Sequence, residues 1–350
     1  MATLTERLLK ASKTKMTALM PDSKIFEGLL TTPTRMLGLN LALSGDIEGG
    51  LEGGLGVVAG PSKHFKSGLS LEMVAAYLKT YKDAVCLFYD SEFGSALAYF
   101  KAAGIDPTRV IHTPIMNIEE LKFDIMSQLD ELKRGDHVII YIDSIGNLAS
   151  IKETVDALKG ESKADMTRAK QLKSLSRMIT PHLTIKDIPC IAINHTYKAQ
   201  DGTNRDVVGG GTGFYYSANW IFVMGREQVK KGTELAGYQF NLKVEKSRQV
   251  REGSKIPIGV DFETGIDIYG GLLDLAVEFG FVEKPKVGWY TRPCVKDDKN
   301  WRAGESSCGA FWDPVFKNTE FSTALTRKYR LSPGESNPDK ITEELKAIEE

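Results

Sequence analysis

A short segment near residue 60 carries the residue types that bind a nucleotide polyphosphate. It consists of Gly60, Pro61, Ser62, Lys63, His64, Phe65, Lys66 and Ser67. The general phosphate loop reads glycine, four free positions, Gly-Lys and then Ser or Thr, so only Phe65 departs from it. Backbone N–H groups at a helix N-terminus, one lysine ammonium and one hydroxyl can together hold phosphates and Mg²⁺. The segment predicts a site for ATP and Mg²⁺, and an ordinary strand-turn-helix is the alternative.

Three further polar side chains follow short apolar runs. Glu92 is the candidate general base, and Asp143 is the candidate second contact to Mg²⁺, through water. His195 could sense the γ-phosphate. Exposed acids after strands, a strand-capping aspartate and a structural histidine are the respective alternatives. The order of Lys66, Glu92, Asp143 and His195, each at the end of a strand, favours one shared site.

The elements that would position these residues alternate between strand and helix. Strands are predicted at 56–59, 84–90, 137–143 and 188–194, and helices at 67–79, 95–103, 118–133 and 163–186. Apolar strands separated by helices predict an α/β fold with a mostly parallel central sheet and its site at the carboxyl ends of the strands. Three more strands, at 219–224, 237–245 and 256–262, are predicted to be antiparallel because their connections are short.

The two ends of the chain lack the alternation of strand and helix that is predicted for the centre. Leu4, Leu8, Leu9, Ala11 and Met16 are spaced like one helix face, which predicts a small N-terminal helical arm at residues 1–32. The predicted core covers 33–270, and a small α+β C-terminal domain covers 271–350. That domain is predicted to contain helices at 272–279, 319–329 and 340–349 around a turn-rich region with Trp289, Trp301 and Trp312.

The composition predicts a globular protein without an overall preference for polyanions. The 350 residues are 42% hydrophobic, and 45 Lys and Arg residues against 46 Asp and Glu residues give a net charge of -1. The four cysteines show no Cys-x-x-Cys spacing, which favours reduced intracellular thiols. No secretory or membrane-spanning run is present, so the expected location is the cytoplasm of the cell or host.

Two stretches could nevertheless bind nucleic acid locally. Cations recur along one predicted helix and its approach, at Lys159, Lys163, Arg168, Lys170, Lys173 and Arg177. Gly209, Gly210 and Gly211 would let the backbone approach phosphates without reading bases. A solvated helix face and a plain flexible loop are the alternatives.

Several motifs together resemble the UvsX recombinases of T4-like bacteriophages, relatives of bacterial RecA. They lie at residues 60–67, 86–94, 141–144, 192–195, 209–213, 244–248 and 270–276, so the resemblance covers nearly the whole chain. Phe65 matches the UvsX version of the phosphate loop. His195 stands where RecA has glutamine.

The resemblance implies an ATP-dependent recombinase that forms helical filaments on single-stranded DNA and exchanges strands with double-stranded DNA. It implies that Tyr99 stacks on adenine, and that Lys246 and Arg248 reach the ATP of the neighbouring subunit. Residues 148–166 would form the first DNA-binding loop and residues 196–213 the second. The DNA-binding candidates are Lys163, Arg168, Lys170, Lys198, Arg205, Gly209, Gly210 and Gly211.

The expected partners are further copies of the chain, a phage single-strand-binding protein and a recombination mediator. A hexameric helicase of the same superfamily is the nearest alternative, because it uses the same nucleotide-binding parts. The short N-terminal arm and the C-terminal segment favour the recombinase. A non-catalytic ATP-gated scaffold or mediator is the alternative from a different class.

Overall fold

The computed structural model describes residues 2–14, 16–23, 25, 31–94, 97–160, 166–199 and 206–331. The helices are α1 (Leu4–Ala11), α2 (Leu37–Ser44), α3 (Lys66–Thr80), α4 (Leu97–Ala102), α5 (Ile118–Glu131), α6 (Ile151–Leu158), α7 (Thr167–Lys186), α8 (Gly211–Ser217), α9 (Leu272–Glu278), α10 (Gly309–Phe316) and α11 (Thr319–Tyr329). The strands are β1 (Gly54–Ala59), β2 (Val85–Asp90), β3 (Val110–Pro114), β4 (Val138–Asp143), β5 (Pro189–Asn194), β6 (Thr196–Lys198), β7 (Asp206–Val208), β8 (Trp220–Lys231), β9 (Glu234–Lys246), β10 (Lys255–Asp261), β11 (Gly265–Ile266), β12 (Glu283–Lys286), β13 (Trp289–Thr291) and β14 (Trp301–Arg302).

The central sheet is mostly parallel. Within the described ranges its nine strands run in the order β11-β10-β9-β8-β1-β5-β4-β2-β3. Neighbouring strands pair in parallel through the part of the sheet that runs β8-β1-β5-β4-β2-β3. They pair antiparallel through the part that runs β11-β10-β9-β8. The predicted α/β fold, with its parallel centre and antiparallel edge, is therefore confirmed.

The central strands bury both of their faces. Every residue of β1, β4 and β5 is buried, because helices cover the sheet on each side. Successive side chains of a strand point to opposite faces, so Val57 joins the core that contains Leu121 of α5, and Val58 joins the core that contains Met73 of α3. Continuous apolar runs fold into central strands for this reason.

The C-terminal segment packs against the core that includes α3. Strands β12, β13 and β14 form a small antiparallel sheet, and α9, α10 and α11 lie beside it. The turn-rich region predicted there is partly wrong, since Trp312 lies on α10 and is only 1% exposed. The helix predicted at 340–349 lies outside the described residues. The domain limits at 32 and 270 stay predictions.

Three other local predictions are corrected. Helix α1 ends at Ala11, so Met16 does not continue its apolar face. Part of the predicted first DNA-binding loop is helical, because Ser150 and Glu153 form a capping box that begins α6. Strands β8 and β9 extend well beyond their predicted limits as a polar hairpin that turns at Gly232. No helix among the described residues has the length and apolar character needed to cross a membrane.

Candidate nucleotide site and nucleic-acid loops

The phosphate-loop segment connects the end of β1 to the start of α3. Lys66 is the first residue of that helix, and its ammonium donates a hydrogen bond to the carbonyl oxygen of Pro61 at 2.8 Å. The side chain is only 7% exposed. Burial lowers the pKa of the Lys66 ammonium, and the carboxylates of Glu92 and Asp143 partly oppose the shift. The loop thus holds one cation close to the N-terminus of a helix.

Ser67 and Asp143 form the candidate metal site. The Ser67 hydroxyl donates to Asp143 Oδ2 at 2.8 Å, and the buried Tyr141 hydroxyl donates to the same oxygen at 2.7 Å. Burial raises the pKa of the Asp143 carboxyl, and the two hydrogen bonds oppose that shift. Mg²⁺ prefers oxygen ligands and is held by one or two protein side chains together with phosphates and water. One hydroxyl beside one carboxylate fits that ion.

Glu92 lies just beyond β2, at the same edge of the sheet. Its Oε1 accepts a hydrogen bond from the Ser144 hydroxyl at 2.8 Å and lies 3.1 Å from Nε2 of His195. The bond with His195 is the main reason that the pKa of the Glu92 carboxyl lies below its usual value, while partial burial acts in the opposite direction. Glu92 is therefore an oriented, ionised carboxylate at neutral pH.

A cavity of about 590 Å³ joins these groups to Tyr99. Phe65, Ser67, Glu92 and Asp143 contribute to its wall, and the exposed Tyr99 ring on α4 lies at another part of it. The sequence prediction missed several of its other wall residues, which lie on α3 or on segments distant from it in the sequence. These include Arg35, Glu72 and Ile266.

Arg35 and Glu72 form a bidentate ion pair beside this cavity. Arg35 Nε and Nη2 donate to the two carboxylate oxygens of Glu72 at 2.7 and 2.6 Å. The two residues are far apart in sequence, so no local pattern indicates their contact. A glutamate on the buried face of an apolar-rich helix was the one available signal, since such a charge needs a partner.

The second candidate DNA-binding loop is tied to the nucleotide site. Asn194 Nδ2 donates to the carbonyl oxygen of Gly209 at 2.8 Å, and the Gly209 N–H donates to the carbonyl oxygen of His195 at 3.0 Å. Gly210 has φ 92° and precedes α8. Lys198 forms an ion pair with Asp206 across β6 and β7 at 3.0 Å. Arg205 lies outside the described residues.

Two cations of the basic segment around α7 have different surroundings: Arg168 bonds to the protein backbone, and Lys170 is exposed. Arg168 donates to the carbonyl oxygens of Leu148, Ile145 and Gly146, at 2.8, 3.1 and 2.7 Å. Its guanidinium therefore organises the loop after β4, a role that the sequence did not predict. Lys170 is exposed on α7. Lys163 lies outside the described residues.

Lys246 and Arg248, the candidates for contact with a neighbouring ATP, do not lie on one strand. Strand β9 ends at Lys246, and Arg248 lies beyond it. The Lys246 ammonium donates to three carbonyl oxygens near the end of α8, those of Tyr215, Tyr216 and Ala218, at 2.9, 2.9 and 2.7 Å. Burial first and then the nearby Arg248 lower the pKa of the Lys246 ammonium, so the two cations still lie near each other.

Known families and proteins are similar to this chain over nearly its whole length. A family model described as the RecA N-terminal domain matches residues 13–267, and one described as the C-terminal domain of the bacteriophage T4 recombination and repair protein matches residues 269–325. The chain is 51% identical over 345 residues to the recombination and repair protein of Enterobacteria phage T4, covering 96% of this chain and 88% of that one. It is 27% identical to the RecA protein of Gloeobacter violaceus, over 75% of this chain and 69% of that one. It is 28% identical to the RecA protein of Streptomyces rimosus, over 76% of this chain and 69% of that one.

Proposed function

The chain belongs to the RecA recombinase family, and from this premise we propose that it is an ATP-dependent DNA recombinase of phage type. It assembles as a helical filament on single-stranded DNA and catalyses homologous pairing and strand exchange with a duplex. The observation that carries the proposal is the meeting of Lys66, Ser67 and Asp143 at one sheet edge, in a chain that matches the T4 recombination protein over nearly its full length. The same matches do not favour a hexameric helicase.

The phosphate loop and α3 bind the triphosphate. N–H groups at the helix N-terminus point toward the anion, and the Lys66 ammonium turns from the Pro61 carbonyl to the β- and γ-phosphates. Ser67 and Asp143 would hold Mg²⁺, which would neutralise charge that develops on the phosphates. The Tyr141 hydroxyl fixes the Asp143 carboxylate from the buried side.

Glu92 orients and deprotonates the attacking water. The Ser144 hydroxyl and the His195 ring both contact Glu92 Oε1, so this carboxylate has a fixed direction. Its lowered pKa keeps it ionised at neutral pH, which a base requires. The Tyr99 ring stacks on the adenine across the cavity.

His195 joins the nucleotide site to the second DNA-binding loop. Its ring contacts Glu92, and its carbonyl oxygen accepts the N–H of Gly209 at the end of the second loop. A change at the γ-phosphate therefore reaches the loop through one residue. The glycines and the exposed Lys170 bind the phosphates of the strand without reading bases.

Lys246 and Arg248 stabilise the γ-phosphate of the neighbouring subunit. Lys246 must first leave the three carbonyl oxygens around the end of α8, the helix that follows the second loop. DNA bound to that loop could move α8 and so free the ammonium. ATP between subunits would then link nucleotide state to filament geometry.

The proposal extends to partners and place of action. A phage single-strand-binding protein and a recombination mediator are the expected accessory proteins, and the host cytoplasm is the expected location. A paired assay tests the central activity: ATP turnover is measured with and without single-stranded DNA, and strand exchange is measured between a circular single strand and a homologous duplex. DNA-stimulated turnover without strand exchange would contradict the proposal.

A further inference from the structure

Phe65 occupies a backbone position that normally requires glycine. Its φ is 60° and its ψ is 18°, in the left-handed region that side chains with a β-carbon rarely adopt. The general phosphate loop has glycine there. A phenylalanine can remain in this conformation only if its surroundings hold it, because nothing in the local backbone favours it.

Two partners hold the ring of Phe65. On one side it stacks on Phe240, with ring centroids 5.1 Å apart and an interplanar angle of 18°. Phe240 is 4% exposed and lies in β9 between Arg226 of β8 and Ile258 of β10, so it is buried and has a paired strand on each side. The other partner is Gly68, in the first turn of α3.

The Phe65 ring occupies the space that a β-carbon at residue 68 would need. A β-carbon at residue 68 would lie 2.8 and 2.9 Å from Cδ2 and Cζ of Phe65, and closer still to Cε2. Carbon atoms in contact prefer 3.5–4.0 Å. Glycine within a helix is normally unfavourable, so its presence here is explained by the ring above it.

We propose that Phe65 is a positioning residue that replaces the missing loop glycine. Its ring, fixed between Phe240 and Gly68, anchors the loop to β9 and thereby sets the direction of the adjacent Lys66 and of the first N–H groups of α3. The inference rests on the proposed ATP site and adds the structural element that shapes it.

Lys63, the other non-glycine residue of the loop with a left-handed backbone, is also held by a contact from the antiparallel strands. Lys63 has φ 61°, and its carbonyl oxygen accepts a hydrogen bond from Arg226 Nη1 at 3.1 Å. The Arg226 guanidinium lies 4.8 Å from the centroid of the Tyr238 ring on β9. Both strained points of the loop are thus held by the antiparallel part of the sheet.

A double-mutant cycle tests the inference through the dissociation constant of a fluorescent ATP analogue, with thermal unfolding recorded for each variant. Gly68→Ala should weaken binding at least tenfold while Phe65 is present. In Phe65→Gly protein, which has the usual loop glycine, Gly68→Ala should change the constant less than twofold. Gly304→Ala is the control, because a β-carbon there meets nothing within 4 Å.

A second pair covers the case in which Gly68→Ala does not fold. Phe240→Leu keeps an apolar side chain but removes the stack, and should weaken binding roughly three- to tenfold with Phe65 present and not in Phe65→Gly protein. Phe262→Leu is its control, since this exposed ring contacts Tyr238 and not Phe65. Equal effects in both backgrounds would overturn the positioning role alone. Wild-type protein that fails to bind the analogue would overturn the ATP site and this inference together.

Discussion

Replacing Glu92 with glutamine should separate hydrolysis from nucleotide binding. The glutamine oxygen can still accept the Ser144 hydroxyl, which donates to Glu92 Oε1 at 2.8 Å, so the local geometry should persist. The side chain loses its ability to accept a proton from water. Removing a general base slows the chemical step by about 10²- to 10⁴-fold, which corresponds to roughly 3–5 kcal/mol of transition-state stabilisation.

Nucleotide affinity should change little in this variant. Glu92 interacts with Lys66 only through charge, and the groups proposed to hold phosphate and Mg²⁺ remain in place. The assay measures steady-state ATP turnover with saturating single-stranded DNA and, separately, equilibrium binding of an ATP analogue. Glu227→Gln is the matched control, because this exposed glutamate contacts Asn241 at 2.6 Å, outside the cavity. A comparable loss of binding and turnover would refute the base assignment in favour of a metal or structural role.

The pH dependence gives a second test of the same group. The pKa of Glu92 is lowered mainly by its bond with His195, so the base stays ionised through the neutral range and loses activity only as pH falls through that lowered pKa. His195→Ala should raise the pKa of Glu92 and move the acidic limb of the turnover profile to higher pH. An unmoved acidic limb would mean that Glu92 is not the titrating base.

Three other predictions concern the loop, the DNA and the subunit interface. Lys66→Ala should lose ATP binding or turnover, and normal turnover would remove the active-site assignment. Affinity for single-stranded DNA should fall steeply with salt, and Lys170→Ala should reduce the slope of log affinity against log salt by about 0.7; an unchanged slope would exclude this lysine from the DNA contact. Lys246→Ala combined with Arg248→Ala should keep nucleotide binding but lose DNA-stimulated turnover, and mixing it with Glu92→Gln protein should restore part of that turnover. No restoration in filaments shown to be mixed would contradict the contact between subunits.

The fold followed from the sequence where one physical signal dominated. The apolar runs that became β1, β4 and β5 had to be buried on both faces, so a parallel sheet covered by helices was the consistent solution. The polar residues that follow such strands then met at one edge. The hydrogen bond between Ser67 and Asp143 and the contact between Glu92 and His195 are the result of that convergence.

The features that the sequence did not reveal depend on contacts between distant segments. The carbonyl oxygens that accept from Lys246 lie at and just after the end of α8, and those that accept from Arg168 lie in the loop after β4. The residue type alone gives no sign of such partners, so the sequence indicates only that Lys246 and Arg168 could bind an anionic ligand. The roles of Gly68 and Phe240 have no sequence signal for the same reason, since their shared contact with Phe65 exists only in the folded chain.

The most direct test of the recombinase assignment is to image the wild-type protein on single-stranded DNA with a slowly hydrolysed ATP analogue. A heterologous contact that does not close should give a continuous helical filament along the DNA. The filament should require the analogue. Closed rings threaded on the DNA, or bare DNA beside unassembled protein, would contradict the account.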